Sequence, residues 1–473
     1  MALIEIPVGG GYGKADPMQA SPADLLNMYD ISTHDGKHKL FITPGLDSSN
    51  GLNFGRSGGI RNTYISRLVD NVQVVVGDRI VQVDPGLNII PGITLTTSQG
   101  YVGIDDTKTD IVFVDGVKGY RYNKSTNIYT ELNIAGFPSL PQDVAAYGDR
   151  FYVIKGDSNE IYYSGIDDPT DWNTLNRIDI TTYPDDAVAV HVFRGRLYIF
   201  GRRVTEVWVL QGGESPVARD ESLVLEYGVV NPGVIASEGG IMTWIGYDKQ
   251  GITSVVASEG GSPRRISTPD VEKEFQSYDI VTDARGFMYI ENGHLFYQIN
   301  FTTANRSWLY CFNSRTWSRL AYKDEDRHRA QTHVFFNGKK YVGDYELPIL
   351  YDFNNEYFSD DGVGIKRKWI SNIFIPNNGD PFSVQQVRFF IQQGVGLETG
   401  KDEEPALLLR VSRDSGVTFA NQLSSYIGQL GLTDAHTEFY RLGYFEYGSM
   451  VLEAEFYNQT NFAIMNCFAE VTI

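Results

Sequence analysis

The chain has 473 residues, enough for two to four domains of ordinary size. Apolar residues make up 42% and charged residues 21%, which excludes a chain that is disordered or membrane-embedded throughout. Lys plus Arg number 40 against 59 Asp plus Glu, and the resulting charge of −19 excludes a protein that grips nucleic acid by neutralising its phosphates.

Glycine (48), Tyr (29) and Phe (26) are the prominent residues, a composition suited to short, half-buried strands and tight turns, so an all-β fold is expected. Cys311 and Cys467 are too few for a disulfide framework or a Cys-based zinc site and are expected to stay reduced. The opening MALIEIPVGGGYG has neither a basic n-region nor a sustained apolar stretch, and no run of 18 apolar residues follows. Synthesis in a cytoplasm, without a membrane anchor, is the expectation.

In chain order, GGGYG (9–13) lacks the Gly-Lys-Ser/Thr ending of a phosphate loop and reads as a close-packed N-terminal arm. SPADLLNMYD (21–30) opens as helices do, but Asn27 fits an extended arm equally well. From about residue 60, pairs of apolar runs flank a Gly-containing turn seven times, with turn glycines at Gly77, Gly116, Gly148, Gly195, Gly251, Gly293 and Gly338. Their mean spacing of about 43 residues matches a four-stranded propeller blade, and Gly, Asn and Asp supply the positive φ of two-residue hairpins. Six or seven blades fit, and the absence of a GH…WD signature disfavours an ordinary WD40 protein. ISTPDVEKEFQSYD interrupts the β pattern: Thr268 as N-cap, Pro269 at the first helical position and Val271, Phe275 and Tyr278 on one side predict a short helix packed on a blade.

Beyond residue 363, Val387, Phe389 and Ile391, then Leu407, Leu409 and Val411, then Leu452, Ala454 and Phe456 alternate with polar residues, predicting strands with one wet face. Alternating Ala463, Met465, Cys467, Ala469, Val471 and Ile473 predict a core strand at the end of the chain, and GVGLETGKDEEP (394–405) predicts an exposed loop. A β-sandwich accounts for this region.

A search for chemistry finds little. DDPTDW (167–172) and SDDG (359–362) cluster carboxylates without the ligand spacing of calcium loops and read as acidic turns. His34, His38, His191, His294, His328, His333 and His436 form no metal motif, no GxSxG elbow occurs, and the basic snippets at 201–203, 263–265 and 365–368 read as solvated turns. SRDSGVTF (412–419) fits the Asp-box pattern Ser-x-Asp-x-Gly-x-Thr-Trp/Phe. It is a structural hairpin turn in which Asp414 caps backbone N–H groups, Gly416 takes positive φ and Phe419 plugs beneath, with Ser412 opening the box. No catalytic, cofactor or metal residue is assigned.

Between about 138 and 320, the pieces YYSGIDDPTDWNTL, YPDDAVAVHVFRGRLYIFGRRVTEVWVLQGG, LEYGVVNPGVIA, GYDKQGI, RRISTPDVEKEF and GHLFYQINFTTANRSWLYCFNSRTWSRL follow one another. In these the chain resembles the packaged-DNA stabilisation proteins, or tail accessory factors, of short-tailed bacteriophages. LNMYDIS with LFITPGL is similar to that family's opening, and YVGDYELPILYDFN, SRDSGVTF and YRLGYF to its closing part. The resemblance implies a structural virion protein, not an enzyme. It would be a homohexameric tail nozzle below the portal and its head-to-tail adaptor, contacting the tail needle or plug and tailspikes or fibres, with genomic DNA passing through the lumen without sequence-specific binding. The rival reading is a glycan-binding or glycan-hydrolysing, sialidase-like propeller. The expected organisation is an N-terminal segment 1–59 that completes a blade or lies outside the ring, a six- or seven-bladed β-propeller over 60–362, and a β-sandwich-like domain over 363–473.

Overall fold

The computed structural model describes residues 2–13, 23–32, 37–212, 215–323, 325–376, 378–392, 404–428, 431 and 437–472. Among them, seven four-stranded antiparallel meanders form the blades of a propeller. Blades 1 to 6 occupy 60–94, 103–131, 141–179, 187–225, 236–265 and 285–320. Blade 7 takes three strands from 330–354 and its fourth strand, Gly45–Asn53, from near the start of the chain, and the short strands Ser359–Asp360 and Val363–Gly364 extend this sheet beyond it. The first strand of each blade lies innermost, and Ala330–Phe336 of blade 7 packs against Ile60–Ile65 of blade 1 to close the ring. Joining segments some 300 residues apart carries a loop-closure cost that grows only slowly with length, so a late closing strand is affordable in free energy.

Every predicted turn glycine has positive φ, from 53° at Gly77 to 89° at Gly116. Their uneven spacing has a structural cause. In blades 3, 4, 6 and 7 the glycine turns the first hairpin, between strands one and two; in blades 1, 2 and 5 it turns the second. The second strands of the blades also explain the continuous apolar runs. Val72–Val76 and Asp110–Val114 are buried at all five positions because each blade packs both faces against its neighbours. Val75, Ile80, Ile111 and Phe113 fill the space between blades 1 and 2, and Val112, Val114, Phe151 and Val153 the space between blades 2 and 3. The helix forms over Pro269–Gln276 with Thr268 accepting from the Val271 amide, and Val271 and Phe275 are buried against blades 5 and 6.

Two further sheets form a β-sandwich. One runs Met28–Ser32, His38–Ile42, Ala463–Thr472, Phe382–Ile391 and Thr437–Phe445, with Ala2–Ile6 also paired to Ala463–Thr472. The other runs Asp24–Leu26, Arg367–Ile370, Val451–Phe456, Ala406–Ser412 and Leu423–Tyr426. The core between them draws Ile6, Leu25, Met28 and Leu40 from the N-terminal residues and Trp369, Phe389, Leu409, Phe445 and Cys467 from the C-terminal ones. The N-terminal residues thus contribute to both halves of the molecule.

Asn27 joins the halves. The parallel pairing of Leu26 with Arg319 continues the sandwich sheet into blade 6. Next to it the Asn27 amide donates to the carbonyls of Ala321 and Lys366, both at 2.9 Å, and its oxygen accepts from the Ala321 N–H at 2.9 Å. Its φ of 52° suits asparagine, whose short polar side chain tolerates the left-handed region.

Two expectations about wet surfaces need correction. Glu453 and Glu455 on Val451–Phe456 are buried, because this strand is internal to its sheet and Lys366, Lys368 and Arg410 lie over the second face. The basic stretch 365–368 is part of that cover: Arg367 is fully buried and donates to the carbonyls of Asn458 and Phe358. Most of the 394–405 loop lies outside the described residues.

Candidate functional site

The Asp-box residues come together at the edge of the sandwich, in the connection between the paired strands Ala406–Ser412 and Leu423–Tyr426. Ser412, fully buried, donates to Asp414 Oδ1 at 2.7 Å and accepts from the amides of Asp414 (3.3 Å) and Gly416 (2.9 Å). Asp414 in turn accepts from the Thr418 amide at 2.8 Å and the Thr418 hydroxyl at 2.5 Å. Backbone capping is therefore shared between Ser412 and Asp414. These bonds from Thr418 and Ser412 hold the Asp414 carboxyl down at about 2. Ser415 and Gly416 both have positive φ, 58° and 93°. Phe419 is half-buried, with the Arg410 guanidinium 5.9 Å from its ring centre.

The other sequence candidates have structural surroundings. In 167–172, Asp168 accepts from the amide and hydroxyl of Thr170, and Trp172 packs edge-on against Phe137. In 359–362, the Asp361 amide donates to the Leu46 carbonyl, and its carboxylate accepts from the Ser48 amide, so this acidic turn holds the closing strand of blade 7. Burial pushes the Asp360 carboxyl up to about 7. His191, His328 and His333 are held neutral near neutral pH because burial lowers each to about 4. His38 pairs with Asp30 at 2.9 Å, while His34 and His436 lie outside the described residues. In GGGYG, the Tyr12 amide donates to the Trp317 carbonyl, and a side chain at Gly11 would collide with the Trp317 backbone at 2.7 Å, so the arm lies as a strap on blade 6. Among the described residues, no three His, Cys, Asp or Glu residues group closely enough to hold a metal ion.

What sequence reasoning missed lies along the propeller axis. Asp105 on the inner strand of blade 2 accepts from the Ala146 amide of blade 3 at 2.7 Å, and Asp143 of blade 3 accepts from the Val190 amide of blade 4 at 3.0 Å. Asp105 also receives Tyr64 and Arg67 of blade 1, and neighbouring Asp106 receives Tyr64, Ser66 and Lys124. Where the ring closes, Gln331 of blade 7 reaches the Ile60 carbonyl of blade 1. Burial raises both Asp105 and Asp143, the latter to about 8. The available signal was an Asp on the innermost strands of blades 2 and 3, which a hydrophobic-pattern reading passes over. These contacts tie blade to blade, and what they supply is rigidity.

A closed ring of seven blades, locked along its axis and continuous with a sandwich built from both ends of the chain, defines a rigid β-propeller scaffold. The family model described as Bacteriophage P22 Gp10, beta-propeller, matches residues 16–357, a span that includes the closing strand of blade 7 and ends before most of the sandwich. The chain belongs to this family of phage packaged-DNA stabilisation proteins and is a bacteriophage structural protein. Among curated proteins no match is found. Among solved structures it is similar to the Pan2 WD40 domain of Neurospora crassa, at 8% identity and a TM-score of 0.41, covering 63% of this chain and 89% of that one. It is also similar to the computationally designed Ika8 protein, at 11% identity and a TM-score of 0.35, covering 64% and 98%.

Proposed function

We propose that the chain is a subunit of the tail nozzle of a short-tailed phage, a six-fold ring below the portal and adaptor. It continues the DNA channel, retains packaged DNA until ejection and carries the needle and the spikes or fibres. The observation that carries this reading is the family match across the whole propeller. The chain's charge of −19 favours it: an acidic lumen repels DNA phosphates and lets the duplex slide past without adhering. The DNA path is the hole between copies. The axis of each propeller is too obstructed to serve, since Arg285 of blade 6 lies over the ring of Tyr101 next to blade 2. Exposed Tyr426, Tyr440, Tyr444 and Tyr447 on and beside the outer strands of the sandwich offer aromatic anchors for neighbouring tail proteins. The role needs no covalent chemistry.

The test is a phage with the gene for this chain disrupted. Particles should package DNA and then lose it, with retention restored by supplying the chain in trans. Particles that keep their DNA and their infectivity without it would overturn the reading.

A further inference from the structure

On the solvent face of the sandwich sheet that holds Phe382–Ile391, three neighbouring strands fall out of step at one level. Val384 faces Val471 on one side and Gly443 on the other, while Gln386 faces Glu470 and Tyr440. Between these two rows Ala463–Thr472 inserts no residue, Phe382–Ile391 inserts Gln385, and Thr437–Phe445 inserts Arg441 and Leu442. Bulges side by side re-aim side chains that a regular ladder would hold parallel. Here they open a shallow pit of roughly 560 Å3 lined by Gln385, Gln386, Tyr440, Arg441 and Glu470.

Arg441 sits in this bulge under strain. Its φ is 58°, a region that glycine occupies freely and a long side chain does not, so the position is retained for what the guanidinium does. Among the described residues, the side chains of Gln385, Gln386, Arg441 and Glu470 form no hydrogen bond or ion pair, and all four reach solvent. Tyr440 is 60% exposed but tethered: its hydroxyl donates to Glu438, which pairs with Arg388 at 2.6 Å. The ring is held in place before a ligand arrives, so little freedom is lost on binding. Tyr444, opposite Ser383, and Phe390, edge-on to Phe468 at 5.5 Å, are exposed on the same face. At about 3.4 Å per residue the three rings form a row roughly 20 Å long.

The chemistry of the lining selects the occupant. A peptide cannot extend the sheet at Thr437–Phe445, because positive φ at Arg441 and at Gly443 (96°) turns the edge out of ladder geometry. Apart from the Tyr440 ring the pit is polar, so an apolar side chain finds no pocket there. Arg388 and Arg441 balance Glu438 and Glu470, which leaves no net charge around the pit to draw a polyanion. What remains is a molecule with one flat C–H face and a rim of groups that both donate and accept. We propose that this face binds a neutral oligosaccharide. A pyranose lays its C–H face on Tyr440, and two neighbouring hydroxyls accept from Arg441 and the glutamine amides while donating to Glu470. Tyr444 and Phe390 take sugar units further along the chain. The proposal is independent of the tail assignment and leaves Tyr426 and Tyr447 as anchors for tail neighbours.

The experiment screens the full chain on an array of neutral oligosaccharides of the gluco, galacto, manno and rhamno series, with hyaluronan and heparin oligosaccharides as the acidic arm, and titrates hits by calorimetry. At least one neutral series should bind saturably with a Kd below about 1 mM. Arg441→Gly should weaken it by at least about tenfold, the worth of a hydrogen bond to a charged group, while the melting temperature stays level or rises because glycine relaxes the bulge. Tyr440→Ala should lose binding to the same degree, and Tyr440→Phe, which keeps the stacking face, should stay within about threefold. Absence of saturable binding across the neutral series, binding confined to the acidic arm, or full affinity retained in Arg441→Gly would each overturn the proposal. Since Arg441→Gly removes strain, a folding failure does not obscure the result.

Discussion

Asp143 provides a test of the interblade locks that can be worked through in numbers. Its carboxyl sits on the inner strand of blade 3, 3% exposed, accepting from the Val190 amide of blade 4. Burial raises it to about 8, against about 3.9 for an aspartate in an unfolded chain. Between those values the folded chain holds a proton that the unfolded chain has released. The contribution to stability is therefore whole below about pH 4 and is lost as pH rises through about 8. Asp143→Asn keeps an acceptor for the Val190 amide and stays neutral at every pH. Relative to the unmodified chain, the variant should gain stability with rising pH, by about 3.5 kcal/mol between pH 5 and pH 8. Urea unfolding of both chains at fixed ionic strength, followed by fluorescence and circular dichroism, measures the difference. Buried histidines that titrate in the same range cancel between the two chains. A difference that does not change with pH would refute the claim that Asp143 is buried as the neutral acid.

The remaining predictions address the junction, the turn and assembly. Asn27→Ala strands the Ala321 amide and two carbonyls and should cost about 2 to 3 kcal/mol, read by urea unfolding; a loss below about 0.5 kcal/mol would show that the blade 6 junction does not depend on it. Gly416→Val, at a φ of 93°, should cost about 1 to 3 kcal/mol in the same assay, while Asp414→Asn should alter stability or assembly alone, and loss of a hydrolytic activity in that variant would point to an enzyme. The purified chain should sediment as a monomer or weak oligomer, associating least at low salt where repulsion between copies of charge −19 reaches furthest, and should form rings on the portal and adaptor; a stable hexamer at low salt and micromolar concentration without partners would contradict this.

The propeller was legible because its signals are local. Gly77, Gly116 and the five other turn glycines each mark one blade, and Thr268 and Pro269 start the helix where capping chemistry says they should. The pairing of Gly45–Asn53 with Ile349–Asn354, and of Ala2–Ile6 with Ala463–Thr472, left no such mark, since nothing periodic connects strands hundreds of residues apart. Glu453 and Glu455 looked like a wet face because alternation reports polarity. It does not reveal whether cations such as Lys366 and Arg410 will cover that face. The box turn was legible in Asp414 and Gly416, but the capping done by Ser412 emerged only with geometry. Asp105 and Asp143 escaped notice because isolated polar residues on apolar strands acquire meaning only from the neighbouring blade.

The central claim is that this propeller is a fixed part of the phage tail, and reconstruction of the intact virion by electron cryomicroscopy tests it most directly. Six copies of a seven-bladed propeller joined to its sandwich should ring the DNA path beneath the adaptor. A particle whose tail holds no density for this chain, or which carries it only outside the channel, would contradict the account.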